Sequence, residues 1–149
     1  MRAVVQRVSR AEVRIEGEVV GRIGPGLLVL VGAEGGDTED DVGWTVEKIL
    51  ALRIFADEAG LMNRALAEVG GALLVVSQFT LLGDCRKGRR PSFMGALAPG
   101  PAEVLYQRFL DRARDSGVAV QSGRFGADME VELVNHGPVT LLVDSRRQF

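Results

Sequence analysis

The sequence predicts an α/β domain of about eight strands and two principal helices, arranged in mixed sheets. Short apolar runs bounded by glycine, proline or charged residues recur along the chain, which is typical of strands. Two longer segments place apolar residues every three or four positions, which is typical of amphipathic helices. The 149 residues fit a single domain, and we expect residues 146–149 to form a mobile tail.

The first half of the chain contains four predicted strands. They are residues 2–8, 12–15, 18–23 and 27–33. Glu16-Gly17 joins the second and third of them, and this spacing favours a tight hairpin in which Gly17 supplies a positive φ. The fourth strand, LLVLVGA, is apolar on both faces, which indicates a central strand covered on both sides.

The first predicted helix lies in the segment GGDTEDDVGWTVEKILALRIF, residues 35–55. Asp37 or Thr38 can cap it, and Thr38 with Asp41 forms a capping-box pattern. The acidic first turn agrees with the helix dipole. One apolar stripe follows, made of Val42, Val46, Ile49 and Leu50.

The second half begins with a predicted loop at residues 57–63 and a second central strand at residues 72–79. Pro99 and Pro101 interrupt the chain, and the second helix is predicted in AEVLYQRFLDRARDSG, residues 102–117, with Gly117 as its C-cap. The remaining predicted strands are residues 118–121, 130–134 and 139–143.

Composition and charge exclude several classes of protein. A net charge of −2 argues against a surface that coats nucleic acid, although it permits a local basic contact. Cys85 and His136 are the only residues of their types, so an internal disulfide or a usual structural zinc site is excluded, and we expect no metal and no cofactor. The apolar runs are too short to span a bilayer, and no leader pattern precedes the first strand, so we expect a cytoplasmic protein.

Two polar segments carry the candidate chemistry. Ser77, Gln78, Phe79 and Thr80 end the most apolar strand, and a strand end on a rigid sheet is a common place for a binding cleft. Residues 135–140 (NHGPVT) lie between two predicted strands. The proline in this second segment can simply begin a strand, or its peptide bond with the preceding glycine can be cis.

A basic loop follows the first polar segment. Arg86, Lys87, Arg89 and Arg90 surround Gly88, directly after Cys85. Such a loop is either a solvated surface turn or a contact for phosphate groups.

Both polar segments, in this order and at this spacing, resemble the paired signatures of the D-aminoacyl-tRNA deacylases. The resemblance extends over the whole chain, through MRAVVQRVSRA, GEVVGRIGPGLLVLVG, RKGRRPSF and GRFGADM. It implies curved, barrel-like sheets packed with two helices. It also implies hydrolysis of the ester that joins a D-amino acid, or glycine mischarged on tRNA-Ala, to the 3′-terminal adenosine of tRNA, with rejection of L-aminoacyl-tRNA.

The resemblance also implies a homodimer whose active sites lie at the subunit interface. Carried over, the pocket residues are Ser77, Gln78, Phe79 and Thr80, with Thr80 either a nucleophile or a positioning group. A Gly-cis-Pro motif, Gly137-Pro138, would arrive from the other subunit and select the D configuration, with Arg7 supporting that loop. The aminoacylated 3′ end of tRNA would meet Arg86, Lys87, Arg89 and Arg90.

Two alternatives remain open at this stage. The first is a non-catalytic RNA-binding module that uses the basic loop. The second is a serine esterase in which Ser77, His136 and Asp144 form a triad, since triads occur in several chain orders. A deacylase hydrolyses D-aminoacyl-tRNA, a binding module shows no turnover, and the esterase needs His136.

Overall fold

The computed structural model describes residues 1–149 and contains a six-stranded sheet, a two-stranded hairpin and two α-helices. The large sheet comprises β1 (Arg2–Ile15), β2 (Glu18–Ile23), β3 (Gly26–Gly32), β6 (Ala72–Ser77), β7 (Ala119–Ser122) and β8 (Glu130–Asp144). The hairpin is β4 (Phe55–Ala56) with β5 (Met62–Arg64), and the helices are α1 (Glu39–Ala51) and α2 (Pro99–Asp115). The predicted α/β class, with eight strands and two principal helices, is confirmed.

The long strand β1 organises the large sheet. One edge of β1 pairs antiparallel with β3 and then with β2, and the other edge pairs antiparallel with β8. Strands β6 and β7 extend the sheet in parallel from β3. At Gly21 the backbone of β2 comes so near β7 that a Cβ atom would lie 2.7 Å from the Ser122 carbonyl oxygen. The sheet therefore curls back on itself into the barrel-like form that the resemblance implied.

Each face of the curled sheet has its own apolar core. The larger core lies between the sheet and the helices, and it includes Val5, Val29, Val75, Ile49 and Phe109. The smaller core fills the inside of the curl with Val8, Val13, Leu28, Leu74 and Val76. Alternation along β3 and β6 explains this division, because neighbouring residues of a strand point to opposite faces.

The predicted capping box of α1 is confirmed. The Asp40 N–H donates to Thr38 Oγ1 at 3.3 Å, and the Thr38 N–H donates to Asp41 Oδ2 at 2.9 Å. Helix α2 begins three residues earlier than predicted, at Pro99. Proline is tolerated in the first turn of a helix, where its missing N–H would have no partner within the helix. Ser116 is its C-cap, and Gly117 follows with a φ of +83°.

Four predicted strands are parts of only two continuous strands. Residues 2–8 and 12–15 belong to the continuous strand β1, because β8 pairs with β1 on both sides of the gap. Residues 130–134 and 139–143 likewise belong to one strand, β8. Its pairing moves from Gln6–Thr140 to Val8–Asn135, so the intervening residues bulge out of the ladder.

The second central strand ends at Ser77, two residues before its predicted end, because residues 79–82 turn into a 3₁₀ helix. The predicted loop at residues 57–63 overlaps the start of β5, which begins at Met62. The mobile tail stays a prediction, although its first residue, Arg146, contacts Asp37 and the Gly35 carbonyl. Neither helix is long and apolar enough to cross a membrane.

Candidate active site

A cavity of about 600 Å³ opens where β6 ends, and we call it the strand-end cavity. Ser77, Gln78 and Phe79 line one part of it. Most of the other lining is apolar and includes Met1, Val31, Leu97, Tyr106, Phe125 and Met129. The site thus combines a few polar groups with a larger apolar wall, which is the usual character of a small-molecule pocket.

The turn after Ser77 fixes the polar groups of the site. The Gln78 N–H donates to the Val31 carbonyl at 2.7 Å, and Gln78 Nε2 donates to Thr80 Oγ1 at 2.5 Å. Within this chain, the only side-chain partner of the Thr80 hydroxyl is therefore a neutral amide. The N–H groups of Phe79 and Thr80 begin the 3₁₀ turn, where the first N–H groups have no acceptor within the turn.

Tyr106 joins three segments that line the strand-end cavity. Its hydroxyl donates to the Val75 carbonyl at 2.9 Å, and the same carbonyl accepts the Gly123 N–H at 3.1 Å. Burial raises the pKa of Tyr106 to about 12, so it stays protonated and able to donate. Its ring lies 5.8 Å from that of Phe125. Helix α2, strand β6 and the segment around Phe125 are thereby joined.

Sequence reasoning did not assign Tyr106 or Phe125 to the site. Phe125 and Met129 belong to the stretch GRFGADM, which carried part of the family resemblance and was the available signal. Tyr106 had only the helical spacing of α2 around it, which indicates core packing and gives no sign of a cavity.

The Gly-Pro segment is held by side chains of β1 and β8. Arg7 Nε donates to the His136 carbonyl at 3.0 Å, and Arg7 Nη1 donates to the Ile54 carbonyl at 2.5 Å. Asn135 closes the bulge: its Nδ2 donates to Thr140 Oγ1 at 2.8 Å, and its Oδ1 accepts the Val139 N–H at 3.0 Å. The peptide bond between Gly137 and Pro138 is cis, and both residues are exposed.

The two polar segments do not meet within one chain. Strands β8, β1, β3 and β6 are successive neighbours in the sheet. Three strand spacings separate β8 from β6, which is about 14 Å at ordinary strand spacing. Neither Gly137 nor Pro138 lines the strand-end cavity, while Ser77, Gln78 and Phe79 do. Thr80 adjoins this group through its hydrogen bond with Gln78.

Asp144 does not complete a triad with His136 and Ser77. Its buried carboxylate pairs with Arg2 Nε at 3.0 Å. His136 is exposed on the Gly-Pro segment, three strands away from Ser77. The chain therefore does not assemble the Ser-His-Asp arrangement within itself.

The basic loop contains one paired and three unpaired cations. Arg86 holds Asp84 through Nε at 2.9 Å and Nη2 at 2.7 Å, which places the pKa of Asp84 well below its ordinary value. Lys87, Arg89 and Arg90 are exposed and form no ion pair. The loop is closed by backbone hydrogen bonds between Asp84 and Ser92.

The ring of Phe93 connects the basic loop to the site. Its centroid lies 5.1 Å from that of Phe79, in an edge-to-face arrangement. Both rings also line the strand-end cavity. The three unpaired cations are therefore carried by a loop that adjoins the cavity. No group of three or more His, Cys, Asp or Glu side chains is placed to hold a metal ion.

The family model described as D-Tyr-tRNA(Tyr) deacylase matches residues 4–144, which include both polar segments and the basic loop. The chain belongs to this family. Two relatives are similar to the whole chain. A D-aminoacyl-tRNA deacylase of Anaeromyxobacter dehalogenans is 60% identical, and a D-aminoacyl-tRNA deacylase of Desulfitobacterium hafniense is 58% identical. Each alignment spans 149 residues and covers 100% of both chains.

Two solved structures share the fold of this family member. One, described as a c-Myc DNA unwinding element binding protein, is 40% identical with a TM-score of 0.91, over 97% of this chain and 98% of the other. The second is described as a probable eukaryotic D-amino acid tRNA deacylase. It is 22% identical with a TM-score of 0.81, over 95% of this chain and 97% of the other, and it supports the fold alone.

Proposed function

We propose that this protein hydrolyses the ester bond between a D-amino acid and the 3′-terminal ribose of tRNA. The observation that carries the proposal is the joining of the strand-end cavity to the cationic loop through Phe79 and Phe93. A cavity takes the aminoacyl end, and unpaired cations beside it take phosphate groups. Relatives that align over the whole chain bear the name of this activity.

The chemistry needs only positioned neutral groups. Water adds to the ester carbonyl, the bond from the acyl carbon to the ribose oxygen breaks, and that oxygen takes up a proton as the D-amino acid leaves. The N–H groups of Phe79 and Thr80, which have no acceptor within the 3₁₀ turn, would stabilise the developing oxyanion. Thr80, held by Gln78, acts as a positioning group. The ester is already activated, so no metal or cofactor is required.

The apolar part of the cavity would hold the terminal nucleoside. Phe125 offers an aromatic ring, and Leu97 and Met129 offer aliphatic surface on the same lining. A nucleobase has a flat π-face that stacks on such groups without hydrogen-bond readout. This arrangement would leave the ester near Ser77 and Gln78.

Selection of the D configuration would need a second subunit. Gly137 and Pro138 are exposed and lie three strands from the cavity of their own chain, so a pocket that contains both segments requires two chains. In the proposed homodimer the carbonyl groups of this motif bind the substrate ammonium and leave no space for an L side chain. Glycine has no side chain to exclude, so glycine mischarged on tRNA-Ala would also be hydrolysed.

The basic loop would contact phosphates near the 3′ end of the tRNA. Lys87, Arg89 and Arg90 are available for this role because none of them is paired with a carboxylate. Arg86 would instead shape the loop through Asp84. A tRNA substrate is consistent with a cytoplasmic location.

Incubation with matched D- and L-aminoacyl-tRNA tests the proposed function. We expect the D ester to be hydrolysed at catalytic enzyme concentrations and the L ester to remain. Binding of both without turnover would instead support the RNA-binding module. Cleavage of simple esters that is lost on His136→Ala would support the esterase.

A further inference from the structure

The α-ammonium group of Met1 is buried beside the strand-end cavity. Met1 is 1% exposed, and it forms part of the cavity lining. Its nitrogen lies 2.7 Å from Asp37 Oδ2 and donates to Ser145 Oγ, also at 2.7 Å. The Asp37 side chain is 0% exposed. The positive charge of the amine and the negative charge of its partner are thus both removed from solvent.

This ion pair lies within a larger network. Asp37 Oδ1 accepts from Arg146 Nη2 at 3.0 Å, and Asp37 Oδ2 accepts the Glu34 N–H at 2.6 Å. Ser145 Oγ in turn donates to Asp41 Oδ1 at 2.6 Å. Burial acts to raise the pKa of Asp41, but the hydrogen bonds from Ser145 and Thr38 and the charge of the amine outweigh it and lower that pKa. The network connects Met1 to the start of α1 and to the chain that follows β8.

The same network adjoins the candidate active site. The Met1 carbonyl accepts the Ser145 N–H at 2.9 Å, which fixes the backbone of the first residue. The next residue, Arg2, pairs with Asp144, and its Nη1 lies 3.5 Å from the Leu81 carbonyl. Leu81 directly follows Thr80. Loss of order at Met1 would therefore reach both the cavity lining and the turn that holds Thr80.

We infer that the α-nitrogen of Met1 is a modification-sensitive site that must carry a free ammonium group for the network around the strand-end cavity to form. An acylated or peptide-bonded nitrogen is uncharged and has one N–H, so it cannot serve both Asp37 and Ser145. Removing one partner of a buried ion pair is strongly destabilising, and the buried Asp37 carboxylate would then keep Arg146 as its only charged partner. A formyl group, an acetyl group or a preceding peptide on Met1 would have this effect.

Four preparations of the protein, which differ only at the chain ends, test the inference by thermal unfolding. They carry a free Met1, an N-acetylated Met1, a Gly-Ser dipeptide before Met1, or a Gly-Ser dipeptide after the exposed Phe149. We expect acetylation and the preceding dipeptide to lower Tm by about 10 °C, and the following dipeptide to leave Tm unchanged. An acetylated protein whose Tm lies within about 2 °C of the free form overturns the inference.

A double-modification cycle tests whether Asp37 is the partner that matters. Asp37→Asn should lower Tm in the free form, and acetylation of that variant should lower Tm by less than it lowers the Tm of the unsubstituted protein, because the ion pair with Asp37 is already lost and only the contact with Ser145 remains to be disturbed. Full additivity of the two changes would show that acetylation acts elsewhere and would overturn the assignment.

Chemical labelling gives a measurement on the unchanged protein. An exposed α-amine reacts faster than a lysine with acetic anhydride near neutral pH, because less of it is protonated. We expect the exposed Lys48 and Lys87 to be labelled before Met1. Labelling of Met1 first would overturn the inference. None of these measurements requires deacylase activity, so their failure is distinguishable from failure of the proposed function.

Discussion

Arg7 Nε donates to the carbonyl oxygen of His136 at 3.0 Å, directly before the Gly-Pro pair. The same guanidinium donates to the Ile54 carbonyl, so Arg7 joins β1 to the Gly-Pro segment and to the chain just before β4. We expect Arg7→Ala to lower kcat/KM for D-aminoacyl-tRNA by about tenfold to a hundredfold, since hydrogen bonds from a charged group are worth about 1.5–3 kcal/mol. Steady-state kinetics with D-aminoacyl-tRNA measure this.

Arg10→Ala is the matched control for Arg7→Ala. Arg10 lies on the same strand but forms an exposed pair with Glu132, with side-chain exposures of 57% and 41%. Exposed pairs contribute little, so kcat/KM should stay within about twofold. Equal losses in the two variants would contradict a specific role for Arg7.

Gly137→Ala tests the shape of the Gly-Pro segment. Gly137 has a φ of +134°, and an added Cβ would lie 2.9 Å from Arg7 Nη2 and 2.8 Å from Val139 Cγ2. We expect at least a tenfold loss of deacylation, because that backbone conformation costs a non-glycine residue about 1–3 kcal/mol and Arg7 must also move. Gly88→Ala is the control, since Gly88 also has a positive φ but nothing lies within 4 Å of its added Cβ.

His136→Ala tests the serine-esterase alternative. His136 is exposed, and the group it contributes to the Arg7 contact is its backbone carbonyl, which alanine retains. We expect deacylation to fall by less than about tenfold, whereas loss of a triad histidine costs far more, on the order of a thousandfold or greater. Single-turnover assays distinguish these results. A loss of deacylation on the order of a thousandfold would support the Ser-His-Asp triad.

The basic loop should act on tRNA binding. Arg89→Ala with Arg90→Ala removes two unpaired cations, so the slope of log K against log salt should become shallower by about 1.4–1.8. Arg86→Ala should change the slope less, because Arg86 is paired with Asp84. Fluorescence anisotropy with labelled tRNA over a salt series measures both slopes. Equal slopes for the unsubstituted protein, the double variant and Arg86→Ala would show that the loop is an ordinary solvated turn.

The hydrogen-bonded contact between Asp84 and Arg86 should be lost only at acidic pH. Hydrogen bonds from the Arg86 side chain, then from its backbone, hold the pKa of Asp84 below its ordinary value of 3.8. A lowered pKa in the folded protein means that the contact is fully present above that ordinary value and is lost as pH falls through the lower folded value. The Arg86 Nε–H resonance should therefore be constant from about pH 7 to 5 and move only below about pH 4. A shift between pH 7 and 5 would contradict this.

Features set by neighbouring residues were predicted well. The Thr38 capping box is encoded in four consecutive residues, and the structure confirms it. The apolar stripe of α1 lies in the core as its spacing predicted, through Val42, Val46 and Ile49. The predicted strand at residues 72–79 runs two residues past the end of β6. Gln78 still donates its N–H to the Val31 carbonyl, but the chain then turns into a 3₁₀ helix.

Features set by distant residues were not predictable from local pattern. The continuity of β1 and β8 depends on pairing between strands more than a hundred residues apart in sequence. The Met1–Asp37 ion pair joins two segments that carry no local signal for each other. The candidate site itself was predicted through the family resemblance, because its two segments lie three strands apart within one chain.

The double pairing of β1 restricts changes in chain length. Strand β1 is held by β3 on one edge and by β8 on the other, through most of residues 2–8. Deleting one residue between Ala3 and Arg7 would move every side chain on one side of the deletion to the opposite face of the sheet. Either the core would lose Ala3 and Val5, or Arg7 would point away from His136. A library that varies chain length should therefore keep β1 fixed and place insertions in the exposed turn at residues 58–61, between β4 and β5.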